Sequence, residues 1–192
     1  MPDRTPSPRV LVRPLLRVRQ LRQYTPEPPT DDELGAIVDA ARWSGSSRNS
    51  QPWRFVIVRD PDALKQIHDA GLPQMRSLAT ALAAIAIVVP DDEDAASIAY
   101  DEGRAAERML IAASFLGLGA AIAWAVPAIR GLVGSLLRVP DGWFVRTLVV
   151  VGHPTAEALA PKSPPGKARL PRDQVVFEGT WPAERRGATK PT

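Results

Sequence analysis

Apolar positions recur along this chain with two different periods, which predicts that helices alternate with strands. Leu34, Ile37 and Ala41 follow a 3.6-residue period directly after acidic residues 31–33, so a helix is predicted there. A second such period, over residues 98–116, predicts the longest helix, charged in its first half and apolar in its second. Short runs rich in β-branched residues predict buried strands at residues 54–58, 84–89, 120–126 and 145–152. This alternation indicates an α/β chain with one core and is compatible with a doubly wound fold.

Prolines and glycines mark where the shorter elements should end. Gly71 and Pro73 interrupt one helical pattern and Pro140 stops another, because neither residue type favours a continuing helix. The shorter elements predicted in this way are a helix end at residues 15–24, one or two short helices at 61–82, a helix at 129–138 and a strand at 174–177.

Neither a leader nor a membrane span is predicted. Residues 1–14 carry charge from the start and contain no apolar run of signal-peptide type, so a cytoplasmic protein with a flexible N-terminal segment is expected. Residues 109–129 are apolar over a length that could span a bilayer. They are rich in Ala and contain Gly117, Gly119 and Pro127, which favours the end of a buried helix, a glycine break and a buried strand.

Composition excludes several kinds of chemistry. The 192 residues suit one domain with a sizeable core, and the absence of cysteine excludes disulfides, thiolate metal sites and a cysteine nucleophile. His68 and His153 are far apart without ligand spacing, so no metal site is predicted. The acidic run 91–94 is interpreted as a solvated turn rather than a cation site. A net charge of +3, spread among acidic residues, favours a small anionic ligand over nucleic acid.

A dense polar stretch at residues 44–53 lies between a predicted helix and a predicted strand. Its serines, its asparagine, Gly45 and Gln51 can hydrogen-bond a flat polar ligand through side chains and backbone. Connections of this kind commonly carry binding sites. The alternative interpretation is a turn whose only role is to stop the helix, and composition does not decide between the two.

Two basic clusters are candidates for anion binding. Arg19 and Arg22 lie three apart and would share one face of a helix, and Lys167 and Arg169 fall in a proline-rich segment near the C-terminus. From the residues alone, a solvated basic surface is the favoured interpretation of each cluster.

The order and spacing of these motifs resemble the nitroreductase family of dimeric, FMN-dependent NAD(P)H oxidoreductases. Ser-x-Ser-Ser-x-Asn-x-Gln-Pro-Trp, from Ser44 to Trp53, resembles the family's flavin loop. Residues 19–24 are similar to its N-terminal Arg-x-Ser-x-Arg-x-aromatic signature, with Arg22 in the last basic position and Gln20 in place of Ser.

Later motifs carry the same resemblance over residues 17–177. Residues 101–119 are similar to the family's central dimer-interface helix, and Gly152-His153-Pro154 resembles its Gly-Tyr-Pro after the last core strand. The run Lys-x-Arg-Leu-Pro at residues 167–171 resembles its C-terminal phosphate clamp.

The resemblance implies an α+β fold: a three-layer sandwich with a central mixed sheet flanked by helices and completed in a homodimer. Residues 15–181 would form this FMN-binding domain, and residues 182–192 a disordered tail. Both chains would contribute to each flavin site. The residues implied to bind the cofactor are Arg19, Gln20, Arg22, Ser46, Ser47, Arg48, Asn49, Gln51, Lys167 and Arg169, with Trp53 as supporting structure.

The implied activity is hydride transfer from NADH or NADPH to FMN, followed by reduction of a second small molecule such as a nitroaromatic or a quinone. No protein side chain is predicted to be catalytic, because the cofactor supplies the chemistry. Three alternatives stay open. The protein could bind or store FMN without NAD(P)H turnover, it could be a specialised member that cleaves flavin or dehalogenates, or it could be a basic interaction module without a ligand.

Overall fold

The computed structural model describes residues 6–92, 96–163 and 169–181, in two compact units, Met1–Leu159 and Ala160–Thr192. The strands are β1 Arg54–Val58, β2 Ala83–Pro90, β3 Gly119–Trp124 and β4 Trp143–Gly152. The helices are α1 Pro8–Leu11, α2 Asp31–Arg42, α3 Pro61–Ala70, α4 Ala96–Phe115, α5 Pro127–Leu137, α6 Ala156–Leu159 and α7 Arg172–Val175. Three 3₁₀ turns are formed by Leu15–Arg17, Ser47–Asn49 and Arg76–Thr80.

The strands form one sheet in the order β1-β2-β4-β3, which places β1 and β3 at opposite edges. Each neighbouring pair is antiparallel. The predicted mixed sheet is therefore not made by these four strands, and the described residues of one chain contain only antiparallel pairing. The positions predicted for β1 to β4 are confirmed to within a few residues.

Two apolar cores, one on each face of the sheet, make the structure a three-layer sandwich. α2 and α4 pack on one face around Ile85, Ile87 and Val149. α3 and α5 pack on the other face around Ala84 and Leu148. β2 is buried on both faces apart from its last residue, which explains why its sequence is a continuous apolar run.

The break predicted within residues 109–129 is also present. α4 ends at Phe115, Gly117 adopts a φ of +76°, and β3 begins two residues later. Glycine occupies this left-handed conformation at little steric cost, so the chain can reverse between helix and strand. Among the described helices, none is both long and apolar enough to cross a membrane.

Residues 15–24 do not form the predicted helix end. After the 3₁₀ turn Leu15–Arg17 the chain runs extended beside β3, where the Leu21 amide donates to the Ala120 carbonyl at 2.9 Å. Tyr24 then bridges to Pro154. Backbone hydrogen bonds to distant residues outweigh the local amphipathic pattern here. The strand predicted at residues 174–177 is not formed either, because Arg172–Val175 form one helical turn directly after Pro171.

Tyr24 anchors this extended segment through its close approach to Gly152. A Cβ atom at Gly152 would lie 2.8 Å from Cγ of the Tyr24 ring, so only glycine fits there. The Tyr24 hydroxyl donates to the Leu21 carbonyl at 2.6 Å, and burial raises the pKa of Tyr24. The position of Gln20 and Arg22 along β3 is fixed as a result.

α2 begins with a capping box, and its removal gives a first testable prediction. The Glu33 amide donates to Thr30 Oγ1 at 3.2 Å, while the Thr30 amide donates to Glu33 Oε2 at 2.7 Å. We expect Thr30→Ala to lower the free energy of unfolding, measured by urea denaturation, by about 1 kcal/mol. Thr30→Ser keeps the hydroxyl, so its free energy of unfolding should stay close to that of the parent. The hydrogen bonds from Thr30 lower the pKa of Glu33, so its stabilising effect is present near neutral pH and is lost as the pH falls through that lowered pKa. Equal stability of Thr30→Ala and Thr30→Ser would contradict the cap.

Candidate functional site

The polar loop at residues 44–53 connects α2 to β1 and contains unusual backbone geometry. Arg48, Asn49 and Gln51 have φ angles of 51°, 55° and 47°. Non-glycine residues in this left-handed region are uncommon, cost of order 1 kcal/mol or more each, and persist where the surroundings over-determine them. Three such residues within four positions indicate that the surrounding structure holds the loop in one specific conformation.

α4 contacts both the loop and the residue directly before it. The Ser47 amide donates to Asp101 Oδ2 at 2.8 Å, and the Arg108 guanidinium donates to the Trp43 carbonyl at 2.7 Å. Arg104 lies between these two contacts and reaches Asp101 Oδ1 at 3.2 Å. Residues 101, 104 and 108 share one helix face, so a single face of α4 supports the loop.

The loop turns its polar side chains outward. Ser47, Arg48, Asn49 and Gln51 are exposed, and Ser46 is partly exposed. The Gln51 amide donates to Ser46 Oγ at 2.9 Å and its side-chain nitrogen approaches Asn49 Oδ1 at 3.3 Å, so Gln51 also ties the loop together. The loop therefore offers hydroxyl and amide groups on a fixed backbone.

Trp53 is the last residue before β1. It is buried in the core that α2 and α4 form with the sheet, and its ring stacks on Phe55 with a centroid distance of 6.4 Å. This packing fixes the point at which the loop enters β1.

A cationic cavity lies along the other edge of the sheet. Arg22 donates to Gln20 Oε1 at 2.8 Å, and the same oxygen accepts from the Ile122 amide at 3.1 Å. The cavity encloses about 310 Å³ and is lined by Arg22, Pro73, Gln74, Arg76, Ile122 and Trp124. Two guanidinium groups in one cavity favour an anion. Arg76 was not a candidate in the sequence, because it lies in a 3₁₀ turn and only the fold brings it to this cavity.

Arg19 is not brought to this cavity. Its guanidinium donates to the carbonyls of Ala158, at 3.4 Å, and Leu159 at the end of α6. The shared helix face predicted for Arg19 and Arg22 does not exist, because the segment is extended and residues three apart point to opposite sides. Gln20 and Arg22, two apart, lie on one side and contact each other instead.

The C-terminal basic pair is only partly described. Lys167 lies outside the described residues, and Arg169 belongs to the second compact unit. Their convergence on an anion shared with Arg22 stays a prediction. In the described residues, no group of three or more His, Asp or Glu side chains could hold a metal ion.

Within one chain, the loop and the cationic cavity lie at different edges of the sheet. The loop leads into β1, whereas the cavity lies against β3. Neighbouring strands are about 4.8 Å apart, so three spacings separate these edges by about 14 Å.

Beneath the loop, a buried ion pair joins α4 to the sheet. Glu102 follows Asp101 in α4, and its carboxylate accepts from Arg146 Nε at 2.9 Å. A β-bulge in β4 makes this possible: Ile87 pairs with Thr147 and Val88 with Val145, which leaves Arg146 as the extra residue. The bulge allows the Arg146 side chain to face α4.

Comparison with known proteins agrees with this architecture. The family model described as "Nitroreductase family" matches residues 18–153, and the chain belongs to the nitroreductase family. A protein of Archaeoglobus fulgidus, whose name carries the terms NADH dehydrogenase and NAD(P)H nitroreductase, is 32% identical over 147 residues, covering 72% of this chain and 82% of the relative. An "FMN reductase [NAD(P)H]" of Bacillus subtilis is 27% identical over 190 residues, covering 89% and 74% respectively.

A solved structure extends the agreement to the fold. The structure of B. megaterium NfrA2 superposes with a TM-score of 0.78 at 24% identity and covers 91% of this chain and 76% of that one. The predicted family and the nitroreductase-like sandwich are confirmed.

Proposed function

We propose that this chain, an NAD(P)H-dependent oxidoreductase of the nitroreductase family with FMN as its cofactor, reduces a second small molecule by a ping-pong mechanism. Nitroaromatics and quinones are the acceptor classes that we propose. Bound FMN would supply the hydride chemistry that links NAD(P)H to the acceptor. The protein's own part is to bind, orient and enclose the reacting groups.

The observation that carries this proposal is the outward-facing polar loop on a fixed, left-handed backbone. Ser46, Ser47 and Asn49 offer hydrogen-bonding groups suited to the flavin ring and ribityl chain. Gln51 keeps them in place from within the loop, and Arg48 lies exposed among them. The residues present therefore fit the cofactor.

The cationic cavity fits the other end of the same ligand. Arg22, positioned by Gln20, would hold the FMN phosphate, and Arg76 adds a second guanidinium to the same cavity. Lys167 and Arg169 are proposed to complete this phosphate site.

A homodimer would bring the two halves together. Because loop and cavity lie at different edges in one chain, we propose that the loop of one protomer faces the cavity of its partner. α4 offers the surface for this contact: Tyr100 and Phe115 are 74% and 66% exposed. A cleft of about 630 Å³ beside Tyr100 is also lined by Gly45, Ala99, Gly103, Arg104, Glu107 and Arg108. An obligate interface of this kind should bury on the order of 2,000 Å² or more.

Spectroscopy tests the function directly. We expect the purified protein loaded with FMN to show flavin absorption, and anaerobic NADH or NADPH to bleach it. Adding a quinone or nitroaromatic should then restore the oxidised spectrum. If the bound flavin stays oxidised when NADH or NADPH is added, the protein stores FMN and does not turn it over. If the protein takes up no flavin, the alternative of a basic interaction module is favoured.

The phosphate assignment gives a second testable prediction. Charge-assisted hydrogen bonds contribute about 1.5–3 kcal/mol, so Arg22→Ala should weaken FMN binding about tenfold or more. Riboflavin shares the ring and ribityl contacts but lacks the phosphate, and its affinity should change far less. Fluorescence titration with both ligands measures the difference.

Arg19→Ala is the matched control for this comparison, because Arg19 contacts the end of α6 rather than the cavity. It should leave the ratio of the two affinities unchanged. Equal losses of FMN and riboflavin in Arg22→Ala would show that Arg22 does not contact the phosphate.

A further inference from the structure

We propose that Asp101 is a positioning residue, which holds the loop at residues 44–53 in the conformation that presents Ser46, Ser47 and Asn49 to the cofactor. The inference rests on the proposed FMN-dependent function and assigns a role to a residue that has no place in the flavin-loop motif. Asp101 itself lies beneath the loop.

The first argument is the burial of this carboxylate. Its side chain is 2% exposed, and a buried charge is strongly unfavourable unless hydrogen bonds compensate it. Both oxygens are used: Oδ2 accepts from the Ser47 amide at 2.8 Å and Oδ1 from Arg104 at 3.2 Å. The carboxylate is therefore fixed between α4 and the loop.

The second argument is the location of the contact along the loop. Ser47 immediately precedes Arg48 and Asn49, which hold left-handed backbone angles. A carboxylate that accepts from a backbone amide makes a stronger hydrogen bond than a neutral acceptor. Asp101 thus fixes the chain directly before its strained turn, and Gln51 closes the turn on the other side through Ser46 Oγ.

Amide hydrogen exchange in the ligand-free protein tests the anchor. We expect the Ser47 amide to exchange slowly in the parent and about tenfold faster or more in Asp101→Ala. Asp101→Asn keeps one oxygen acceptor of nearly the same shape, so it should stay within about threefold of the parent. Asp39→Ala is the matched control, because Asp39 forms the same i,i+3 pair with Arg42 at 3.1 Å but is exposed on α2.

Ligand binding separates positioning from a purely structural role. Asp101→Ala should weaken the binding of FMN and of riboflavin by the same factor, about tenfold. The reason is that the loop is proposed to contact the ring and ribityl chain, which the two ligands share. Asp101→Asn should recover most of both affinities, and Asp39→Ala should change neither.

Several outcomes would overturn the proposal. Both measurements on Asp101→Ala are made below its melting temperature. If the exchange rate of the Ser47 amide or the affinities for FMN and riboflavin are unchanged, Asp101 has a structural role only. A loss selective for FMN would also contradict it. A parent that binds neither flavin would instead defeat the proposed function, whereas exchange of Ser47 would still report whether Asp101 anchors the loop.

Discussion

Arg146→Ala should lower the free energy of unfolding by about 3–5 kcal/mol, because it leaves the Glu102 carboxylate buried without its cation. The two side chains are 19% and 3% exposed, and Nε and Nη2 of Arg146 both donate to the same Glu102 oxygen, Oε2. Urea denaturation followed by circular dichroism measures the effect. The matched control is Arg42→Ala, whose pair with Asp39 is exposed and should change stability by about 0.5 kcal/mol or less.

A double variant distinguishes a lost interaction from an unpaired charge. Glu102→Leu combined with Arg146→Met removes both charges and keeps similar volume, so it should recover most of the stability that Arg146→Ala loses. If Arg146→Ala lowers stability as little as Arg42→Ala does, the buried-pair interpretation is wrong.

The sequence predicted those elements whose pattern is local. α2 and α4 carry long helical periods, and β2 is a continuous apolar run, so each was recognisable without its neighbours. The helix prediction for residues 15–24 was wrong because β3, about 100 residues away, sets their conformation through contacts such as that of Leu21 with Ala120. An amphipathic pattern of ten residues is too short to outweigh such pairing.

The candidate site shows the same limit. The loop at residues 44–53 is a continuous motif that could be recognised in the sequence, and residues 47–49 and 51 are exposed in the structure. Asp101 and Arg76 could not be predicted, because Asp101 contacts a residue 54 positions away and Arg76 joins Arg22 only across a cavity. Asp101 shares the buried stripe of α4 with Ala105 and Met109, whereas Glu107 lies on the exposed face. The helical period can separate these two acids, but it cannot show that Asp101 accepts from the Ser47 amide.

Gly103→Arg should dissociate the proposed homodimer while leaving the single chain folded. Gly103 lies on the exposed face of α4, and a Cβ atom there would meet nothing within 4 Å. In one chain, replacing a helical glycine should be neutral or stabilising by about 0.5–1 kcal/mol. Against a partner, the same side chain adds bulk and an unpaired buried charge, so dimer affinity should fall about a hundredfold or more.

FMN binding should fall together with the dimer, because each proposed site takes its loop from one protomer and its cationic cavity from the other. Sedimentation equilibrium at micromolar concentration and the flavin absorption of the gel-filtered protein measure the two effects on one sample. Gly35→Arg is the matched control: it too is an exposed helical glycine with open space around it, but it lies on α2. We expect Gly35→Arg to remain dimeric and flavin-loaded. A monomeric Gly103→Arg that still binds FMN as tightly as the parent would show that one chain holds a complete site, and the two-chain arrangement would have to be abandoned.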